Sequence, residues 1–371
     1  MVLIVWQGII SIHQKTFLEA LVKQPGVTKV MMVVEQEISP YRKNMGWEVP
    51  VIENVEVIVA PTEEKIKSIF REYKDAVHLL GGIRVGKMMT MAFDAGAALG
   101  AKMGSLSEPY NKDGWKGMLR TLKYKYQSLR YYKHMSFFLA VGKEGVATYT
   151  GLGFDERFVF PWAYFINVPQ MPRPVSAQPE RKRIIFGGRL EPGKGIYRFV
   201  TELARFDKTK YTLDIFGSGP DEEKIKQLVA EKGLDDTISF KPFMPYNDMV
   251  RQYCNYDWVV LPSTAKDGWG VVVSEGMLNG LKAICSSICG VSWAIKDGFN
   301  GLVIDWNDAD SCNKAIERML STEQFADSGE ISAWAKNGVS ADAGAAYYMK
   351  IIDATFNGET KPAAPWIQVG K

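Results

Sequence analysis

Short apolar runs alternate with amphipathic helical stretches along most of this chain, and that alternation limits its fold more than any other feature. In the N-terminal half, β-branched and aromatic runs predict strands at Val2–Trp6, Lys29–Val34, Val55–Ile58, Ala76–Leu80, Lys102–Leu106 and Phe137–Ala140. Helical spacing of apolar residues predicts intervening helices at Gln14–Lys23, Glu63–Tyr73 and Val85–Leu99. A Pro-rich segment, Val168–Pro179, breaks the pattern, which restarts at Arg183 and runs to about Leu320. Strands joined through helices form parallel sheets covered on both faces, so each block is expected to be a doubly wound α/β domain. The expected organisation is an N-terminal domain at 1–168, a linker at 169–181, a second domain at 182–340, and a C-terminal helix and tail at 341–371. Such sheets bind ligands at the carboxyl ends of their strands, so a cleft between the two domains is the expected active site.

The 371 residues suffice for two domains with separate cores. A net charge of +3 argues against a broad nucleic-acid footprint. Cys254, Cys285, Cys289 and Cys312 show no paired spacing and read as reduced thiols of a cytosolic protein. With only His13, His78 and His134, widely separated, a histidine-rich metal site is not expected. No apolar run reaches the ~20 residues of a membrane span. The opening Met1–Trp6 reads as a first strand and not as a signal peptide.

Three segments of the second block carry chemistry. The run Trp258–Leu261 reads as a buried strand, followed by a loop with Asp267 and a helix read at Ser274–Ala283 that carries Glu275 in or near its first turn. Seven residues separate the two carboxylates. A helix N-terminus offers free N–H groups to an anion, and carboxylates suit sugar hydroxyls. An anion and a polyol side by side describe a sugar nucleotide, although acids at a helix start also simply complement its dipole. Upstream, a strand from Arg183 ends in Gly187 and Gly188, with Arg189 and Lys194 five residues apart in the loop and an apolar helical face at Ile196, Phe199, Val200 and Leu203. Two converging cations are what a departing diphosphate needs as its charge grows. Between these segments, the strand Tyr211–Phe216 ends in Gly217, Ser218, Gly219 and Pro220, a pattern that by itself marks a tight turn.

Together these segments resemble the retaining glycosyltransferases of the GT-B fold, the group 1 or glycogen-synthase-like family with a Glu-x7-Glu signature. This chain has Asp267 where the family usually has Glu. The resemblance is strong over 183–305 and rests on strand–helix order alone in the first domain. It implies that Asp267 lies by the donor sugar, Glu275 on the ribose, and Arg189 and Lys194 on the diphosphate. Gly188, Gly217 and Gly219 would line the nucleotide pocket, Phe243 and Met244 would face the base, and Gly268, Trp269 and Gly270 would fix the donor. In the first domain, Gly8 ends the first strand where backbone could approach the diphosphate. Arg84 and Glu108 follow two other strands and are acceptor-side candidates; related enzymes often carry a histidine where this chain has Ser107 and Glu108. The resemblance also implies that the helix at Ala341–Phe356 crosses back to the first domain.

One helix stands apart. Over Trp115–Tyr132, residues Trp115, Met118, Leu119, Leu122, Tyr126 and Leu129 share a face flanked by Lys116, Arg120, Lys123 and Arg130. That is either a surface helix packed on its domain core or an interfacial contact with an anionic membrane. Asp308 and Asp310 match a metal-binding Asp-x-Asp pattern, but their position favours capping the helix Ser311–Leu320, and no essential metal or cofactor is expected.

The expected activity is retaining transfer of a hexose-type sugar from a UDP- or GDP-sugar to an acceptor hydroxyl of a glycan or lipid-linked acceptor. The pathway would be bacterial polysaccharide, lipopolysaccharide or other glycan synthesis, in the cytoplasm or at the inner face of the membrane, with no nucleic-acid partner. A sugar-nucleotide epimerase, a sugar phosphorylase, and a catalytically weak sugar-nucleotide-binding subunit remain as alternatives.

Overall fold

The computed structural model describes residues 1–39, 48–174, 181–242 and 244–368. The chain divides into two units, Met1–Ile166 with Ser340–Gln368, and Asn167–Val339.

The first unit holds seven strands: β1 (Val2–Ile9), β2 (Lys29–Gln36), β3 (Glu56–Val59), β4 (Val77–Leu80), β5 (Lys102–Ser107), β6 (Phe137–Val141) and β7 (Val159–Trp162). They form one parallel sheet in the order β3-β2-β1-β4-β5-β6-β7. The order reverses between β1 and β4, which is the switch point of a Rossmann-type sheet. The central strands are buried on both faces, as parallel strands are: Leu3, Ile4, Val5 and Trp6 in β1 and the whole of β4. Below the sheet the Trp6, Phe70 and His78 rings stack, and the Trp6 indole N–H donates to His78 Nδ1 (3.1 Å). Burial lowers the His78 imidazole from 6.5 to about 4, so it accepts that bond in its neutral form.

The helix Ala341–Phe356 belongs to this unit. Ser340 caps it, its hydroxyl accepting from the Ala343 N–H (3.1 Å), and Tyr348 packs edge-on against Phe17 and Phe137.

The second unit holds β8 (Lys182–Gly187), β9 (Tyr211–Phe216), β10 (Ile238–Lys241), β11 (Trp258–Leu261), β12 (Lys282–Ser286) and β13 (Gly301–Ile304). Its parallel order, β10-β9-β8-β11-β12-β13, repeats the same scheme with the switch between β8 and β11. Its core joins Ile184, Phe186, Phe199, Leu213, Ile215, Trp258 and Val260. Asp257, just before β11, binds the Arg183 backbone N–H and guanidinium and the Arg173 guanidinium, tying the visible start of the Pro-rich segment to this unit. Residues 175–180 of that segment lie outside the described residues.

The elements depart from the sequence reading in three places. The helix expected at Ser274–Ala283 runs from Val271 to Leu278, and 282–286 is strand β12. Glu275 therefore sits in the second turn, not the first. Strand β7 was not anticipated. Asp310 occupies the N-cap of Ser311–Leu320 but makes no side-chain cap bond; Asp308 Oδ1 instead accepts from the Asp310 N–H (3.0 Å). Among the described residues no cluster of metal-ligating side chains forms.

Candidate active site

In the second unit, three loops converge at the carboxyl ends of β8, β9 and β11. The loop after β8 is bonded to the loop after β9: Gly188 N–H to Phe216 O, Leu190 N–H to Ser218 O (both 3.0 Å), and Asp221 N–H to Leu190 O (2.9 Å). Gly217 has φ +153, and a Cβ there would collide with the Gly188 carbonyl, so only glycine permits this close approach. The same loop is bonded to the one after β11, with the Thr264 and Ala265 N–H groups donating to Gly193 O (3.0 and 3.1 Å) and the Thr264 hydroxyl to Pro192 O (2.8 Å). Gly195, at φ +69, lies against the Pro262 carbonyl. Backbone bonding therefore fixes the position from which Lys194 projects.

Lys194 Nζ and Asp267 Oδ2 meet at 2.6 Å, across 73 residues of sequence. Both side chains keep some exposure, 29% and 18%. Asp267 is held from behind: its carbonyl accepts from the Gly290 N–H (3.1 Å), and Cys289 is bridged to it, with burial and the Asp267 charge pushing the Cys289 thiol up to about 12. Arg189 projects from the same loop, 3.3 Å from Glu191 and 46% exposed. The loops after β8 and β11 thus carry two partly exposed ion pairs, Arg189–Glu191 and Lys194–Asp267.

Glu275 stands in a different environment. It is 3% exposed, and its Oε2 accepts from the Tyr253 hydroxyl (2.9 Å). Its Oε1 is buried and has no hydrogen-bond partner among the described residues. Burial pushes the carboxyl up from 4.5 to about 7, against the opposing pull of the Tyr246 and Tyr253 hydroxyls. Both phenols are in turn pushed well upward by burial and by the Glu275 charge. Trp269 is fully buried with its indole N–H on Ser274 Oγ (3.0 Å), so its side chain supports the helix start and is not available to a ligand. Gly268 and Gly270 flank it on the same loop, and Gly219 follows β9. Met244 is half-buried ahead of the helix Tyr246–Gln252, and Phe243 lies outside the described residues.

The first unit has its own site at the carboxyl ends of β1, β4, β5 and β6, a cavity of about 320 Å³. Glu108 lines it, with the Tyr164 hydroxyl donating to its carboxylate and the Tyr149 hydroxyl to its carbonyl (3.0 Å). Tyr110, Tyr124 and Tyr131 complete an aromatic wall. Gln7 Nε2 and Gln14 Oε1, both on lining residues, are buried without partners among the described residues. A tyrosine wall with spare amide groups suits a polyol, whose C–H faces lie on rings and whose hydroxyls take the polar groups. Arg84 does not line the cavity. It pairs with Asp94 and lies over the Tyr131 ring at 5.0 Å, in a left-handed conformation (φ +55). Gly8, the penultimate residue of β1, has open space where a Cβ would stand.

Sequence reasoning missed the tyrosines of both sites. Tyr124 and Tyr131 lie seven apart on one helical face, a spacing that was legible. Tyr253 reaches Glu275 only through the fold.

Residues 168–337 match the model of the family described as glycosyl transferases group 1. An uncharacterized glycosyltransferase of Methanocaldococcus jannaschii is 28% identical over 171 residues, covering 44% of this chain and 44% of that relative. The matched stretch thus spans less than half of the relative's length. Two solved structures align over 95% of this chain and 99% of their own. They are Anabaena HepE in complex with UDP and glucose (TM-score 0.66, 14% identity) and the lipopolysaccharide outer core galactosyltransferase WaaB in its apo form (TM-score 0.69, 15% identity). The fold is GT-B, two Rossmann-like domains. The family model matches slightly less than half of this chain, and the two solved structures are similar to it in fold.

Proposed function

We propose that this protein transfers a sugar from a nucleotide diphosphate to an acceptor hydroxyl, with retention of anomeric configuration. The observation that carries the reading is the Lys194–Asp267 pair between the loops after β8 and β11, with Arg189 on the same loop as Lys194 and, in the same unit, a buried Glu275 one of whose oxygens has no partner among the described residues. Glu275 Oε1 takes a ribose hydroxyl, replacing hydration with a charge-assisted bond. Arg189 and Lys194 meet the diphosphate, and Asp267 turns from Lys194 to the hydroxyls of the donor sugar. The amides around Gly188, Gly217, Gly219, Gly268 and Gly270 support the nucleotide, Met244 faces the base, Gly8 is a donor-side residue and Glu108 an acceptor-side one.

In the reaction, the bond between the anomeric carbon and the diphosphate oxygen breaks while the acceptor oxygen bonds to the same face. The acceptor proton passes to the leaving phosphate. The two cations act where negative charge grows, in a partly dehydrated site where such donors are strongest. HepE was solved with UDP, which makes a UDP-sugar the first donor to try. The acceptor is proposed to be a glycan or a lipid-linked saccharide.

Thermal-shift measurements with UDP, GDP, ADP and their sugar conjugates test this reading, with Glu275→Ala as control. A shift for one nucleotide, absent in the control, supports the assignment. No shift with any of them removes it.

A further inference from the structure

The helix Gly114–Tyr131 has two opposed faces. At about 100° per residue, Tyr124, Gln127 and Tyr131 fall together, and these line the cavity of the first unit. On the opposite side Trp115, Met118, Leu119, Leu122, Tyr126 and Leu129 fall within about 100° of arc. Those six are 67%, 61%, 51%, 59%, 66% and 82% exposed. The helix buries only Gly117 and Ser128 fully, so the reading of its apolar side as a face packed on the core does not hold. A contiguous exposed stripe of this kind marks an interaction surface.

Charge selects the partner. Residues 112–133 carry seven cations (Lys112, Lys116, Arg120, Lys123, Lys125, Arg130 and Lys133) against one carboxylate, Asp113. The segment is therefore net +6 in a chain whose total is +3, which leaves the remainder at −3. Lys125 flanks one edge of the stripe, and Lys116, Lys123 and Arg130 the other. Two copies of this face would bring like charges together, which disfavours self-association. An apolar stripe with Trp and Tyr, bordered by cations on both sides, matches the interfacial zone of an anionic bilayer. Among the described residues no helix is long and apolar enough to cross a membrane, so the contact is one of lying on the surface.

We propose that this helix docks the protein on an anionic membrane, with the cavity on its inner face turned to an acceptor presented in that bilayer. The naming of an acceptor rests on the transferase reading; the docking itself does not.

The test is co-sedimentation of the full chain with vesicles of phosphatidylcholine and phosphatidylglycerol in equal parts, against pure phosphatidylcholine. Binding is expected to the anionic vesicles and to fall with salt. Replacing Lys116, Lys123 and Lys125 by Gln should weaken it roughly 100-fold, at about fivefold per cation. Leu122→Ser combined with Leu129→Ser should weaken it without lowering the melting temperature, since both side chains are exposed. No binding, equal binding to neutral vesicles, or full binding by the charge variant overturns the proposal. So does a dimer in solution that the leucine variant dissociates. Nucleotide thermal shifts on the same preparations separate the two readings. A shift without vesicle binding defeats only the docking, and vesicle binding without any shift defeats only the transferase.

Discussion

With Glu275 on the donor ribose, as proposed, donor binding is a proton-linked event, and the size of the linkage follows from the burial of this carboxyl. The free protein holds this carboxyl at about 7 in place of 4.5. That difference is about 3 kcal/mol against the ionised form. A ribose hydroxyl donating to Oε1 favours the carboxylate, because a hydrogen bond to the charged form opposes the burial term. If the bond returns the group to about its ordinary range, donor binding at pH 5 must first remove a proton and at pH 8 need not. The dissociation constant should then be roughly 50- to 100-fold weaker at pH 5 than at pH 8, with most of the change between pH 5 and 7.

Isothermal titration with the sugar nucleotide selected by the thermal-shift panel measures this. A sugar nucleotide is the right probe because both phosphates are diesters and do not titrate in this window, unlike a terminal phosphate. Buffers of different ionisation enthalpy should show nearly one proton released per donor at pH 6. Glu275→Gln keeps the shape, removes the titration, and should give weaker binding that is flat with pH. The same group has a signature without ligand. Its raised value means that its contribution to stability is fully present below pH 4.5 and is lost as pH rises through 7. A wild-type affinity that does not change between pH 5 and 8, or the same slope in the Gln variant, refutes the ribose assignment.

Lys194→Ala should lower turnover by about 3 to 4 kcal/mol in the barrier, two to three orders of magnitude, as expected for losing one anion-stabilising donor; near-normal turnover in a steady-state assay rejects its role. Gly8→Ala meets no protein atom within 4 Å. It should leave the melting temperature unchanged and raise KM, whereas unchanged kinetics would remove Gly8 from the site. His78, lowered from 6.5 to about 4 by burial, has the opposite sign to Glu275. Its contribution is present above pH 6.5 and is lost as pH falls through 4, a change of about 3 kcal/mol. Denaturant titrations across that range should show the loss in wild type and a flatter profile in His78→Leu, which is less stable at neutral pH because the Trp6 N–H loses its acceptor.

What the sequence made legible depended on distance along the chain. Strand β11 could be read because Pro262 ends an apolar run at once, and the loops after β8 and β9 because glycines mark their turns. The helix Val271–Leu278 was misplaced because Val271, Val272 and Val273 are β-branched and mask its first turn. Leu281 and Ala283 then prolong the apolar pattern past Gly280, whose φ of +79 breaks the helix. Strand β7 contains Pro161 and sits at the sheet edge, where a proline is tolerated and a sequence reading discounts it. At the site, Arg189, Lys194, Asp267 and Glu275 were legible as residue types at fixed spacing, but their relations were not. Lys194 meets Asp267 across 73 residues and Tyr253 meets Glu275 across 22, contacts that only the tertiary fold creates. The helix at 114–131 shows the same limit from the other side. Periodicity established that its faces differ, yet period alone is identical for a helix buried on a core and for one lying on a membrane. What decides is the packing density beneath it. A face with tyrosines on a cavity leaves the leucines of the opposite face nothing among the described residues to cover them.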